Sequence, residues 1–246
     1  MKTNSTVLAL ILAAGKGIRM NSSLPKPLIQ IADRSIIQYI IDALRNCHTR
    51  IAIVIGHQAD LIRSQLGNQY EYVLQIEQKG MAHAVAQAAS LISRYEKSLI
   101  FVGDSPLIQK DSIRHLLQHH NETGAVCSFL TATFPIHFPY ARVIRDEKGN
   151  VLRCVEERYA TEDEKRIREY LTSHYMFNSD ALLAHLNEIE VDPDTNEFYL
   201  TNIIGILVKQ GLRVEAVHIH DFRQLVGLNT PEDLIWAKQI LEELNG

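Results

Sequence analysis

Cysteine is scarce in this chain. Cys47, Cys127 and Cys154 are the three in 246 residues, and they share no paired spacing, which favours a reducing compartment over a disulfide framework or a zinc site and makes the cytoplasm the expectation. Long apolar runs are missing as well. The early run Val7 to Ala14 is too short to cross a bilayer, follows a single Lys, and passes into a glycine loop where a leader would carry a cleavage site. It reads as a buried strand, and no membrane partner is expected. A basic excess is also lacking: 25 Lys and Arg face 29 Asp and Glu, a formal charge of −4, so nothing announces a nucleic-acid partner and any basic group that matters must be locally placed. Repeats, low-complexity tracts and linkers are absent, and the chain is read as one domain over residues 1–246.

Apolar side chains, 46% of the residues, can fill a sizeable core. Short apolar runs alternate with helical periodicity, the pattern of an α/β fold with a mixed, mostly parallel sheet. Strands are expected at Thr6 to Ala13, Ile51 to Ile55, Tyr72 to Ile76 and Ser98 to Val102. Helices are expected at Ser35 to Arg45, Asp60 to Leu66, Ala82 to Ile92 and Ser112 to His120. From Ala125 the texture turns extended, with Val126 to Thr133, then Ala141 to Arg145 and Val151 to Val155 around a turn at Glu147 to Asn150. A charged helix over Thr161 to Arg168, a strand at His174 to Phe177 and a helix at Leu200 to Val208 follow. The last helix begins with Thr230 as N-cap, Pro231 and Asp233, and shows one apolar face through Leu234, Ala237, Leu241 and Leu244.

Chemistry concentrates at three strand ends or loops. Leu12-Ala13-Ala14-Gly15-Lys16-Gly17-Ile18-Arg19-Met20 runs on to Leu24-Pro25-Lys26-Pro27-Leu28, a glycine turn whose backbone N–H groups can approach phosphate, with cations set around it. Met20 stands where the dinucleotide fingerprint would have its third Gly, and no Gly-Lys-Ser/Thr closes a P-loop. Val102-Gly103-Asp104-Ser105-Pro106-Leu107 places Asp104 beyond a strand end, where it can present a hard cation to phosphate or cap the helix starting near Asp111. Val226-Gly227-Leu228-Asn229 offers an amide oxygen, an acceptable magnesium ligand, although spacing alone does not bring it to Asp104 and an Asn at a helix start is usually structural.

These segments, with Gln75 to Ala84, Val155-Glu156-Glu157 and Glu197-Phe198-Tyr199-Leu200-Thr201 in the same order, resemble the sugar-phosphate nucleotidyltransferases, above all the uridyltransferase domain of bacterial N-acetylglucosamine-1-phosphate uridyltransferases. The resemblance spans nearly the whole chain. It implies a Rossmann-like, three-layer, GT-A-like fold with a nucleotide-binding half over about residues 1–125, a β-rich acceptor-binding half over about 126–229 and a C-terminal helix over 230–246. The implied activity is Mg²⁺-dependent transfer from UTP to a sugar 1-phosphate, giving a UDP-sugar and pyrophosphate. Arg19, Lys26 and Asp104 would be catalytic; Leu12, Ala14, Gly15, Gly17, Gln75 and Gly80 would bind nucleotide; Tyr140, Glu156 and Thr172 would bind the acceptor; Asp104 and Asn229 would hold Mg²⁺. The second activity of those bifunctional enzymes, carried by a left-handed β-helical acetyltransferase half, is not expected here.

Several positions depart from the family pattern. Gly80-Met81-Ala82 replaces Gly-Thr-Gly, Val102 replaces Tyr, Pro139-Tyr140-Ala141-Arg142 replaces Gly-Tyr-Gly-Arg, and Leu171-Thr172-Ser173 replaces Asn-Thr-Gly. They leave two rivals standing: CTP-dependent transfer to a non-sugar phosphate or phosphonate such as phosphocholine, and a silent nucleotide-sugar sensor. His115, His119 and His120 read as a solvated helix face, with the first two at a four-residue spacing open to metal, while His218 and His220 share a strand face near Asp221. His83 reads as packing or capping.

Overall fold

The computed structural model describes residues 7–245; Thr6, the expected first residue of the opening strand, lies outside them. The first strand, β1 (Val7–Ala13), leads through the glycine loop and a small hairpin of β2 (Gln30–Ile31) and β3 (Arg34–Ser35) into α1 (Ile36–Arg45). Then come β4 (Thr49–Ile55), α2 (Ala59–Leu66), β5 (Glu71–Leu74), α3 (Met81–Gln87), α4 (Ala89–Ile92), β6 (Lys97–Val102) and α5 (Lys110–Thr123). The second half carries β7 (Cys127–Thr133), β8 (Ala141–Arg145), β9 (Val151–Val155), β10 (Glu169–Asn178), α6 (Ser179–His185), α7 (Asn202–Lys209), β11 (Val214–His218) and α8 (Pro231–Asn245).

The main path of the sheet runs β11-β7-β10-β6-β1-β4-β5, with β8 paired to β10 and β9 to β8. The strands β6, β1, β4 and β5 are mutually parallel, β10 is antiparallel to β6 and β7, and β11 is parallel to β7. This is the mixed, mostly parallel sheet the alternating pattern implies. Successive residues of β1 feed opposite layers: Ala9 and Ile11 pack with α1, α5 and α8, while Leu8 and Leu10 pack with α3, α6 and α7. Burial on both faces explains why this strand reads as an unbroken apolar run. The β-rich second half lends β7, β10 and β11 to the same sheet.

From β1 the chain steps to β4 on one side and only later reaches β6 on the other. The crevice between the carboxyl ends of β1 and β6 is therefore the topological switch point, where an open α/β sheet receives ligand. Both motif loops leave from there, and Gly103 N–H donates to Leu12 O across the strand ends.

Three expected elements differ. Thr161 to Arg168 forms one 3-10 turn at Glu164–Arg166; Thr161 and Glu164 cap each other as a capping box does, but no residue of the segment is buried, and a lone turn without an apolar face does not propagate. The helix over Ala82 to Ile92 breaks at Ala88 into α3 and α4. On α8, Ala237 and Ile240 are buried with Leu234 and Leu241 packed beside them, and Leu244 is exposed. No helix among the described residues is long and apolar enough to cross a membrane.

Candidate functional site

The glycine loop is folded back on itself. Gly17 adopts φ +59°, and a Cβ there would lie 2.8 Å from Lys26 Cβ, so only glycine allows the two ends of the loop to touch without strain. Single 3-10 turns at Ile18–Met20 and Lys26–Leu28 carry the cations, anchored by buried Met20, Pro27 and Leu28. Lys16 and Arg19 stand in solvent at the cleft rim, while Lys26 points inward with 13% of its side chain exposed.

Lys26 brings two distant motifs together. Its Nζ donates to Asp104 Oδ2 at 2.6 Å and to Asn229 Oδ1 at 3.0 Å, and Arg19 donates to the same amide oxygen at 2.8 Å. Asp104 thus does not cap the helix after it; that helix starts at Lys110 with no side-chain cap. Leu228 N–H donates to Asp104 O at 2.9 Å. A Cβ on Gly227 would meet the Asp104 carboxylate at 2.9 Å, so the close approach of the two segments requires glycine. A carboxylate and an amide oxygen converging on one cation form a hard, all-oxygen donor pair, which fits Mg²⁺.

Around this centre lies a cleft of about 800 Å³ whose lining includes Leu12, Ala14, Gly15, Gly17, Gln75 and Gly80. Every residue expected to bind nucleotide is there. Gln75, 3% exposed, uses its amide nitrogen on Gly80 O at 3.2 Å and on His83 Nδ1 at 3.0 Å. His83 stacks on Phe198 and also bonds Gln87, so it holds Gln75 in place. Its start-of-helix position beside the loop is the signal that sequence reasoning set aside as packing.

A second pocket of about 230 Å³ adjoins the first, sharing Arg19, Val102, Asp104, Glu156, Ser173, Thr201 and Asn229 with it. Tyr140, Glu156 and Thr172 all line it, and so do the departures Val102, Pro139, Ala141, Leu171 and Ser173. Glu156 accepts from Thr201 Oγ1 at 2.6 Å, and burial pushes its carboxyl above the ordinary range. Thr201 was missed as an individual residue, although its motif was singled out. The Tyr140 hydroxyl accepts Gly227 N–H at 3.0 Å, and burial pushes it up to about 12. Thr172 is buried and bonds His174 Nδ1 at 3.2 Å. A bulge between Leu171 and Tyr175 breaks the β10–β7 register, and Ser173 takes φ +62° within it, the kind of irregularity that re-aims side chains beside a site.

The other histidines gather elsewhere. His120 is not on a solvated face: it is buried, bonded to Ser128 and Asn178, and burial lowers its pKa. His119 meets Glu215 at 3.3 Å, a carboxylate from β11 that the helix pattern could not reveal, and His115 touches the His119 ring. His218 bonds Thr133, with His220 beside it. Among the described residues no group of three or more His, Cys, Asp and Glu could hold a metal.

A three-layer α/β sheet with phosphate-suited loops at its switch point defines a Rossmann-like nucleotidyltransferase fold. Residues 9–190 match the model of the MobA-like NTP transferase domain, and the chain belongs to that family. Among curated proteins it is similar to the bifunctional protein GlmU of Bacillus cereus (strain G9842), 38% identical over 240 residues covering 97% of this chain and 52% of the relative. The bifunctional protein GlmU of Staphylococcus carnosus (strain TM300) is 35% identical over 237 residues, 96% of this chain and 52% of its own. The chain spans about half the length of these relatives.

Proposed function

We propose that the chain joins UTP to a sugar 1-phosphate, releasing pyrophosphate, with Mg²⁺ held by Asp104 and Asn229. The observation that carries this reading is the convergence of Asp104 Oδ2 and Asn229 Oδ1 on one cation where the two pockets meet. Uridine specificity rests on the resemblance and on the likeness to GlmU.

An acceptor phosphate monoester has a second pKa near ~6, so its oxygen is largely ionised at neutral pH and attacks without a general base. The new bond forms to the α-phosphorus, the bond from the α-phosphorus to the bridging oxygen breaks, and pyrophosphate leaves with that electron pair. The barrier is then one of anions meeting and of charge on the leaving group. Lys26 and Arg19 would neutralise that charge from the loop, and bound Mg²⁺ would supply the same kind of neutralisation. Gln75 and Gly80 would orient the pyrimidine, and Glu156, set by Thr201, would accept from the acceptor. No Ser/His/Asp arrangement is needed.

The departures Pro139, Ala141 and Leu171 on the smaller pocket, with Val102 and Ser173 where it meets the larger cleft, favour one second reading: CTP-dependent transfer to a non-sugar phosphate such as phosphocholine. Four NTPs screened against sugar 1-phosphates and choline or ethanolamine phosphates, with pyrophosphate as readout, separate the two. Turnover with UTP and a sugar 1-phosphate is expected. Activity confined to CTP and an aminoalkyl phosphate overturns it, and tight nucleotide-sugar binding with no pyrophosphate for any pair marks a sensor.

A further inference from the structure

Asn229 can serve a cation only if its amide oxygen, rather than its nitrogen, faces the cleft and if its backbone is held still. Both conditions are met by contacts outside the cleft. Asn229 Nδ2 donates to Gly227 O at 2.9 Å, which leaves Oδ1 toward Arg19 and Lys26. The backbone is held by α8. Asp233 Oδ2 accepts Thr230 N–H at 2.9 Å while Thr230 Oγ1 accepts Asp233 N–H at 3.2 Å, the reciprocal pair of a capping box. The same carboxylate oxygen also accepts Asn229 N–H at 2.6 Å.

That third bond is one the helix does not need. A capping box satisfies donors from the N-cap inward, and Asn229 precedes the N-cap. It is also the shortest of the three and charge-assisted, so it ties Asn229 to α8, whose Ala237 and Ile240 are fixed in the core. The Gly227 N–H to Tyr140 hydroxyl bond and the Leu228 N–H to Asp104 O bond fix the preceding residues from the sheet side.

We infer that Asp233 is a positioning residue for the reaction: its carboxylate, shared between the start of α8 and the Asn229 backbone, aims Asn229 Oδ1 at the cation shared with Asp104. This rests on Asn229 being a metal ligand.

The test compares Asp233→Ala, Asp233→Glu and Thr230→Ala by thermal unfolding, by Mn²⁺ binding in electron paramagnetic resonance with UTP present, and by the Mn²⁺ concentration for half-maximal pyrophosphate release. Thr230→Ala removes half of the cap and should lower Tm by a few degrees while leaving Mn²⁺ binding within twofold of the parent. Asp233→Glu keeps a capping-box residue and should keep Tm, yet its longer side chain displaces the Asn229 bond and should weaken Mn²⁺ binding about tenfold with the acceptor KM unchanged. Asp233→Ala should show both losses. If Mn²⁺ binding follows Tm across the three, or is unchanged in both Asp233 variants, the positioning role is wrong. Asn229→Ala is the control on the underlying reading: if it leaves Mn²⁺ binding intact, the ligand assignment falls and the positioning role with it. If Asn229→Ala abolishes binding and Asp233→Glu does not alter it, only the positioning role falls. Should Asp233→Ala fail to fold, Asp233→Glu alone decides.

Discussion

The Lys26 ammonium lies 2.6 Å from Asp104 Oδ2, on the same side as Asn229 Oδ1 at 3.0 Å, so a side-chain cation occupies the point on which the two proposed metal ligands converge. A cation from the chain and one from solution compete for those oxygens. Divalent metal should therefore bind weakly until nucleotide phosphates draw Lys26 away. Lys26→Met should bind Mn²⁺ without nucleotide at least tenfold more tightly than the parent, about 1.4 kcal/mol, well inside the ~4 kcal/mol of a close ion pair at intermediate dielectric. Lys16→Met removes the same charge from the exposed rim and should change it by less than threefold. Equal gains in the two variants would reduce the effect to net charge. In turnover Lys26→Met should lose roughly 10²-fold, the usual scale for removing one preorganised group that stabilises developing charge.

Asp104→Ala removes the carboxylate from that centre and leaves Lys26 facing only Asn229. The side chain is 26% exposed and lies beyond the end of β6, so the fold should survive with little change in Tm. Magnesium-dependent pyrophosphate release should vanish from the time course. Full turnover in a folded Asp104→Ala protein would remove the metal assignment.

How far these contacts could be read beforehand follows from their range. The loop after β1 and Asp104 after β6 were legible because buried parallel strands make unbroken apolar runs that end at polar turns, and ligand chemistry sits at such ends. The meeting of Asp104 with Asn229 was implied by the resemblance and not by spacing, since it depends on Gly227 allowing two segments 123 positions apart to touch. The bulge at Leu171 to Tyr175 was hidden for another reason: one extra residue in a strand leaves its period-2 pattern nearly intact. Thr161 to Arg168 misled because charge spacing imitates a helix where nothing is available to bury.

His174 gives the molecule an acid weakness. It is fully buried against Phe101, its Nε2 has no hydrogen-bond partner among the described residues, and burial pulls its pKa down to about 4. The unfolded chain takes up this proton near pH ~6.5 while the folded chain resists it until about pH 4. Between those values the unfolded state binds more protons, so stability should fall as pH drops through the window, by up to about 3 kcal/mol from this group. His120 shifts in the same direction and adds to the slope. Urea unfolding at intervals from pH 7 to pH 4 should show the decline, and His174→Phe should flatten it; an unchanged slope would assign the effect elsewhere.

Ser173 is where strain and acceptor choice meet. Its φ of +62° is in the left-handed region, on a wall shared by the two pockets and inside the β10 bulge. A non-glycine residue there costs roughly 1–2 kcal/mol, and the resembling family carries glycine at this position. Ser173→Gly relieves that cost but adds freedom to the unfolded chain, worth about 0.4–1 kcal/mol, so the net gain in stability should be about 1 kcal/mol or less, measured as a rise in the urea midpoint at constant m. Removing the hydroxymethyl also widens the pocket beside Thr172. If this wall selects the acceptor, Ser173→Gly should change KM among candidate acceptors severalfold and the nucleotide KM by much less, because Ser173 stands where the two pockets meet while the nucleotide contacts proposed at Gln75 and Gly80 lie on the wall of the larger cleft alone. A parallel shift in both constants would locate Ser173's influence in the shared centre around Asp104 and Asn229 instead.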